Sequence, residues 1–436
     1  MHPWLNWIEH RSSEPRVIGS NPIGCTKQNL HQINMLLPFV LQFLAWALGI
    51  FALAIFIYQF FIKKGKNTKK HKRSLIIASI SLIVGLTLNF IATSPLPVHF
   101  AMPPTMHSHA PGGMPASLPI HSAFNFFSNF NKFEKVADIG ADPNAVPAPI
   151  TRDASADVEI NITAKEVIGE VVDNSGIYFN YWTYNGQAPG PMFRVKEGDT
   201  VTVSLKNDES SLHPHNIDLH AVTGPGGGGE VTKVQPGETK SFKWKALNPG
   251  LYIYHCATAN VSTHNSHGQY GLILVEPKEG LPAVDKEFYI VQGELYTSGG
   301  LGKTGLVPFD SNALLDGIPT YITMNGKVES APRMKAKVGE TIRIYVGNGG
   351  VNLISSFHII GEIFDKVYPE ASMGTEPLKN VQTTAVLPGG ATIVEFKLDV
   401  PGKYLLVDHA LARMNKGAWA VLEVEGEPNP EIFEAL

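Results

Sequence analysis

The sequence predicts an all-β protein made of two copies of one sandwich, carried behind an α-helical transmembrane hairpin and a disordered linker. Three observations lead there. Two uncharged apolar stretches, Leu36–Ile62 and Leu75–Thr93, stand near the N-terminus. From Asp157 the chain breaks into short alternating apolar runs punctuated by Gly, Pro and Asn, such as "VEINITAKEVIG", "TVTVSLKN", "LYIYHC" and "LILVEP", the rhythm of a strand sandwich. That rhythm then repeats. A net charge of -4 with 17% charged residues gives no reason to expect nucleic acid. Two cysteines in 436 residues cannot form a disulfide framework.

The elements follow in order. Residues 1–34 lack periodicity, and the Gly-Ser-Asn-Pro of "EPRVIGSNPIG" is what the T-arm of a tRNA gene would encode. Translation is therefore expected to start at Met35, which would remove Cys25 and leave Cys256 alone. Residues 35–93 form the hairpin, since Leu36–Ile62 can span a hydrocarbon core of roughly 30 Å. Between the two stretches lies "KKGKNTKKHKRS", whose positive charge places that loop in the cytoplasm and everything after Thr93 outside. Residues 94–156 read as a linker rich in Pro, Gly, Ser and Asn. Its His99, Met102, Met106, His107, His109, Met114 and His121 admit two readings: a polar tether, or a segment that collects a soft metal such as copper.

Residues 157–280 and 281–436 are the two sandwiches. "YWTYNGQ" (Tyr181–Gln187) matches "YITMNGK" (Tyr321–Lys327), and "VKEGDTVTVSLKN" from Val195 matches "AKVGETIRIYVGN" from Ala336. "PGLYIYHC" likewise matches "PGKYLLVD". Six positions past Gly250 stands Cys256, whereas six past Gly402 stands Asp408. A metal site built on that cysteine belongs to the first copy alone.

The chemistry gathers around the cysteine. Upstream, "HPHNIDLHAVTG" holds His215, Asp218 and His220, and "LYIYHC" ends in His255 and Cys256. If both segments are strands, successive side chains alternate between faces. His215 and Cys256 then share one face, while Asp218, His220 and His255 share the other. Thiolate with two imidazoles, the second from His264 on the following loop, is the donor set of a blue, electron-transfer copper. Imidazoles without thiolate suit a second copper with an open position for substrate. His255 and Cys256 are adjacent, so electrons can pass between the two metals along the backbone. A single histidine on a strand, or a single buried cysteine, would carry no such weight.

The stretch from about Val158 to Ile432 resembles the copper-containing nitrite reductases, in particular their membrane-anchored Gram-negative type. The resemblance implies two tandem cupredoxin (Greek-key β-sandwich) domains per subunit and a ring of three subunits, with a type 1 copper in the first domain and a type 2 copper between subunits. Residue by residue, it implies type 1 ligands His215, Cys256 and His264, type 2 ligands His220 and His255, and a third type 2 ligand, His409, from the neighbouring subunit. Asp218 and His358 take the family's proton-handling positions. Ile360 takes that of the apolar residue that shapes how nitrite lies on the metal. The departure is axial. Where the family has a weak methionine ligand, thirteen residues past the cysteine, this chain has Gln269, a harder oxygen donor that favours Cu(II) and lowers the potential. The loop before His264, "NVST", also departs from the more apolar family pattern. His267 is an additional candidate ligand, read more simply as a solvent-facing loop histidine. His213 falls just outside the ligand set. "GPGGGG" (Gly224–Gly229) reads as a flexible loop near the substrate entrance.

The implied reaction is the one-electron reduction of nitrite to nitric oxide in the periplasm. The implied electron donor is a cupredoxin or a c-type cytochrome. Two other functions compete. A multicopper oxidase would carry paired His-x-His motifs and a His-Cys-His, but Ala257 follows Cys256 and no histidine follows His409. A membrane-tethered electron-transfer or copper-binding protein would have no need of Asp218, His358 and His409.

Overall fold

The computed structural model describes residues 44–45, 47–58, 61, 68–93, 130–328 and 333–436. The chain falls into two units, Met1–Pro97 and Val98–Leu436. In the first, residues 47–57 are helical and a second helix spans Thr68–Thr93. The last part of the basic run, from Thr68, belongs to this second helix, as Lys and Arg are good helix formers. Among the described residues no helix is long and apolar enough to cross a membrane. Of the hairpin expected over 35–93, residues 47–57 and Thr68–Thr93 are helical among the described residues. Residues 1–34 with Cys25, part of the first apolar stretch, and residues 94–129 with their Met and His side chains lie outside the described set.

In the second unit, the described part of the linker expected over 94–156 is ordered. Its last part, residues 130–156, is packed against the sandwich. Glu134–Lys135 (β1) pairs with Asp157–Glu170 (β2) in parallel. Phe133, Ile139 and Ala141 are buried, with Ile139 seated against Gly169, where any side chain would collide with it. Alternating apolar residues give this segment surface to bury despite its proline content.

Among the described residues one strand plan runs twice. In the first copy β2, Ile177–Tyr184 (β3), Thr200–Asn207 (β5) and Thr239–Lys245 (β7) form one sheet, in the order β3-β2-β5-β7. Phe193–Lys196 (β4), Asp218–Leu219 (β6), Gly250–His255 (β8) and Tyr270–Glu276 (β9) form the other, in the order β4-β9-β8-β6. In the second copy Lys286–Leu295 (β10), Tyr321–Met324 (β12), Thr341–Asn348 (β14) and Ala391–Lys397 (β18) give the order β12-β10-β14-β18, extended by Lys366–Tyr368 (β16). Met334–Lys337 (β13), Ser355–Ile360 (β15), Gly402–Asp408 (β19) and Trp419–Glu425 (β20) give β13-β20-β19-β15, extended by Thr383–Val386 (β17). The two strand orders are superimposable. Gly305–Leu306 (β11) crosses the sequence boundary at 280 and pairs with β3.

Strands β8 and β9 sit between two cores. Tyr254, Cys256, Ile273 and Val275 point into the first sandwich. Leu251, Ile253, Leu272 and Leu274 point the other way, against Tyr289, Val291, Tyr345 and Ile393 of the second. Burial on both faces is why β9 reads as an unbroken apolar run. Each such leucine contributes on the order of 2 kcal/mol. A buried ion network crosses the same seam: Arg194 meets Glu276 and Glu287, and Arg343 meets Glu287 and Glu395. The strand that carries Cys256 is thus clamped on both sides.

Candidate metal centres

His215 is not on a regular strand. Only Asp218–Leu219 of its segment pairs with β8, with Asp218 opposite His255. His215 is held instead by two backbone hydrogen bonds with Val234. The expected sorting of faces survives because the extended backbone still alternates.

At the first centre Cys256 Sγ lies 3.2 Å from His264 Nδ1 and 4.0 Å from His215 Nδ1, all three residues fully buried. His264 is delivered by the short helix Val261–Ser266 that follows the cysteine. Gln269, also buried, aims Oε1 at His264 Nδ1 from 3.3 Å while its Nε2 has no hydrogen-bond partner. Burial alone would push the Cys256 thiol up, but the facing His264 and His215 rings hold it well below its ordinary range. That favours the thiolate a soft metal requires. Asn216 braces the cavity: its Oδ1 accepts from Ala257 N at 2.6 Å and its Nδ2 donates to Gly229 O at 2.8 Å. A buried thiolate with two imidazole Nδ1 atoms and an amide oxygen fits a blue copper.

The second centre lies on the opposite face. Donor atoms of Asp218, His220 and His255 all fall within 4.8 Å of one another. The Nε2 atoms of His220 and His255 face each other at 3.0 Å. His255 Nδ1 donates to the carbonyl of Cys256 at 3.1 Å, which leaves Nε2 as its ligating nitrogen. His220 is exposed and His255 half-buried, so the site opens to solvent. The glycine run is not the flexible loop expected. Pro225–Gly228 forms a tight turn with Gly227 and Gly228 buried. A Cβ on Gly227 would lie 1.8 Å from Asp218 Oδ1, and one on Gly228 would strike the Phe242 ring. Only glycine lets this turn close over the carboxylate.

His358 and His409 form a separate pair on the second sandwich, their rings 5.2 Å apart and edge to face. Neither belongs to the Asp218–His220–His255 cluster. His358 Nδ1 donates to Gln382 O at 2.6 Å, and Ile360 and His409 are exposed. Asp408, at the position matching Cys256, is buried, ion-paired with Arg413 at 2.6 Å, and accepts from Ser356 N and Ala410 N. The second copy has replaced thiolate chemistry with a carboxylate that ties down the loop carrying His409.

His267 is buried rather than solvent-facing, and it lies outside both candidate donor groups. It stacks on Trp182 at 4.3 Å and on Phe179 at 5.0 Å, and its Nδ1 donates to Thr263 O at 2.7 Å. Burial pushes its pKa down to about 3. The His213 ring packs at a tilt against Trp182, centroids 4.4 Å apart, and bonds to Glu166. Trp182 and Glu166 escaped sequence reasoning. Glu166 left a signal, a carboxylate at an inward position of the Ile160, Ile162, Ala164 stripe.

Sheets that are mostly β, in two cupredoxin-like sandwiches, with one buried His-Cys-His donor set define a cupredoxin-type copper protein. A family model described as multicopper oxidase matches residues 170–280. A copper-containing nitrite reductase of Neisseria gonorrhoeae is 55% identical over 292 residues, covering 66% of this chain and 74% of that one. Another, from Alcaligenes faecalis, is 32% identical over 61% of this chain and 76% of its own. The solved copper nitrite reductase of Nitrosomonas europaea matches with a TM-score of 0.56 at 32% identity, covering 63% of this chain and 96% of that chain. The chain belongs to the copper-containing nitrite reductases, oxidoreductases that carry copper.

Proposed function

We propose that this chain reduces nitrite to nitric oxide by NO₂⁻ + e⁻ + 2H⁺ → NO + H₂O. The observation that carries the reading is the pair His255–Cys256, adjacent in sequence yet pointing into two different donor sets. His215, Cys256, His264 and Gln269 would hold a type 1 copper; His220 and His255 would hold a type 2 copper. When bound, the first metal relays single electrons and the second supplies a Lewis-acid position for nitrite. The covalent junction gives electrons a short path between the two. Asp218, lodged under the glycine turn beside His255, is placed to hand a proton to a substrate oxygen. His358, its ring fixed by Gln382 O, would supply the second.

His358, Ile360 and His409 sit apart from Asp218 in one chain. The reading therefore needs a second copy to bring them together, and the family resemblance makes that assembly a homotrimer with sites between subunits. His409 then completes the type 2 ligands and Ile360 roofs the nitrite. The N-terminal apolar stretches and the basic run between them support a membrane anchor, with the catalytic unit on the periplasmic side. A cupredoxin or c-type cytochrome would deliver the electron. The test is nitric oxide release from nitrite by the copper-loaded full chain with a reduced donor. A blue, copper-replete protein that releases none would defeat the reading.

A further inference from the structure

We propose that Glu166 is the positioning residue of the blue-copper site: it accepts the Nε2 proton of His215, fixes that ring and holds the copper potential down. The inference rests on the type 1 reading above. His215 turns Nδ1 toward Cys256 Sγ, so Nε2 points away from the sulfur. There it stands 3.4 Å from Glu166 Oε1. Both side chains are completely shielded from water. His215 Nε2 and Glu166 Oε2 are each buried without a hydrogen-bond partner, and they belong to neighbouring groups. Once Nδ1 binds a metal, the imidazole proton must reside on Nε2. That buried N–H then faces Glu166, whose Oε1 lies 3.4 Å away, and a buried donor requires such a partner.

The carboxylate cannot swing elsewhere. Its Oε1 accepts from Leu212 N at 2.9 Å, His213 N at 2.8 Å and His213 Nδ1 at 3.0 Å. These are residues of the loop that leads directly into His215, so one carboxylate sets both the loop and the ring. It stands on β2, in the opposite sheet from Cys256, which makes it a strut across the sandwich. Two backbone N–H groups and the His213 ring converge on Glu166 Oε1, a donor environment that suits the ionised carboxylate. A fixed negative charge bonded to a ligand imidazole raises its basicity and stabilises Cu(II) over Cu(I). Gln269 and Glu166 thus push the potential in the same direction, one on the metal and one through a ligand.

The experiment is Glu166→Gln in the copper-loaded full chain, with absorption and redox titration beside wild type. The amide keeps the shape and loses the charge. The blue absorption should persist while the preference for Cu(II) over Cu(I) falls about tenfold, the low end for partners of a metal-bound histidine. For one electron that is a rise of about 59 mV. An intact blue band with an unchanged or lower potential overturns the proposal, since a purely structural role would not move the potential. If the variant fails to fold, the wild type decides: with Cu(I) bound, the His215 Nε2 proton should give a far-downfield, slowly exchanging NMR signal. Absence of that signal overturns the proposal as well. A wild type that takes up copper without turning blue sinks the type 1 reading, and the proposal with it.

Discussion

Gly227→Ala is the sharpest probe of how the type 2 face is built. The residue holds φ +54°, and an added Cβ would lie 1.8 Å from Asp218 Oδ1 and 3.1 Å from Leu219 O. Two costs follow. The left-handed backbone penalises an L side chain by about 1–2 kcal/mol. The carboxylate must also retreat by about 1.2 Å to restore even the tightest contact, or the turn must lift off it. A displacement of about 1 Å in a catalytic group costs on the order of 10²-fold in rate. The type 1 residues point to the other face, so the blue absorption should be unchanged. Gly224→Ala is the matched control, because a Cβ there meets nothing within 4 Å. The assay is nitric oxide release under excess reduced donor, with absorption confirming equal copper. Wild-type turnover in Gly227→Ala would refute the argument that this turn sets Asp218.

The other predictions concern single terms. His409→Ala should leave the blue colour intact and abolish nitrite reduction; an active variant would show that His409 is not a ligand. Asp218→Asn keeps the shape without a titratable proton, so turnover should fall about 10²–10⁴-fold with copper retained, and unchanged turnover would remove Asp218 from proton delivery. Gln269→Met replaces an oxygen by a thioether and should raise the type 1 potential, measured by voltammetry; a downward shift would mean that Gln269 does not bind the metal. At the seam, Arg194, Tyr345 and Arg343 outweigh burial and hold the Glu287 carboxyl below its usual range. Its folded pKa being depressed, its stabilisation is present above the ordinary glutamate pKa of ~4.3 and lost as pH falls through the lower folded value. Thermal melts from pH 7 downward should therefore show a steeper acid loss in wild type than in Glu287→Gln. Parallel curves would show that this carboxylate does not carry the acid sensitivity.

Much of the site was legible because its chemistry uses rare residues at short spacing. One cysteine beside one histidine, with histidines five positions apart upstream, needs only an alternating backbone to sort into two donor sets. The segment 215–220 did not have to be a strand for that to work. Composition misled where packing overrides it. The Pro-rich stretch 130–156 is ordered because Phe133, Ile139 and Ala141 find cavities in the sandwich. The glycine run folds into a tight turn because the neighbours of Gly227 and Gly228 leave no room for a Cβ. A loop histidine, His267, is buried because Trp182 and Phe179 stack on it.

The sequence by itself determined the repeat, the strand rhythm, the absence of a thiolate from the matching position of the second copy and the two groups of candidate donors around Cys256, since each is written in residue type and spacing. Tertiary structure alone decided which distant groups meet. That Glu166 reaches His215 across the sandwich, that Gly227 closes on Asp218, and that Arg194 ties one sandwich to the other depend on strand register and sheet stacking. Those are settled by the burial of whole faces, a collective quantity that no local stretch of sequence contains.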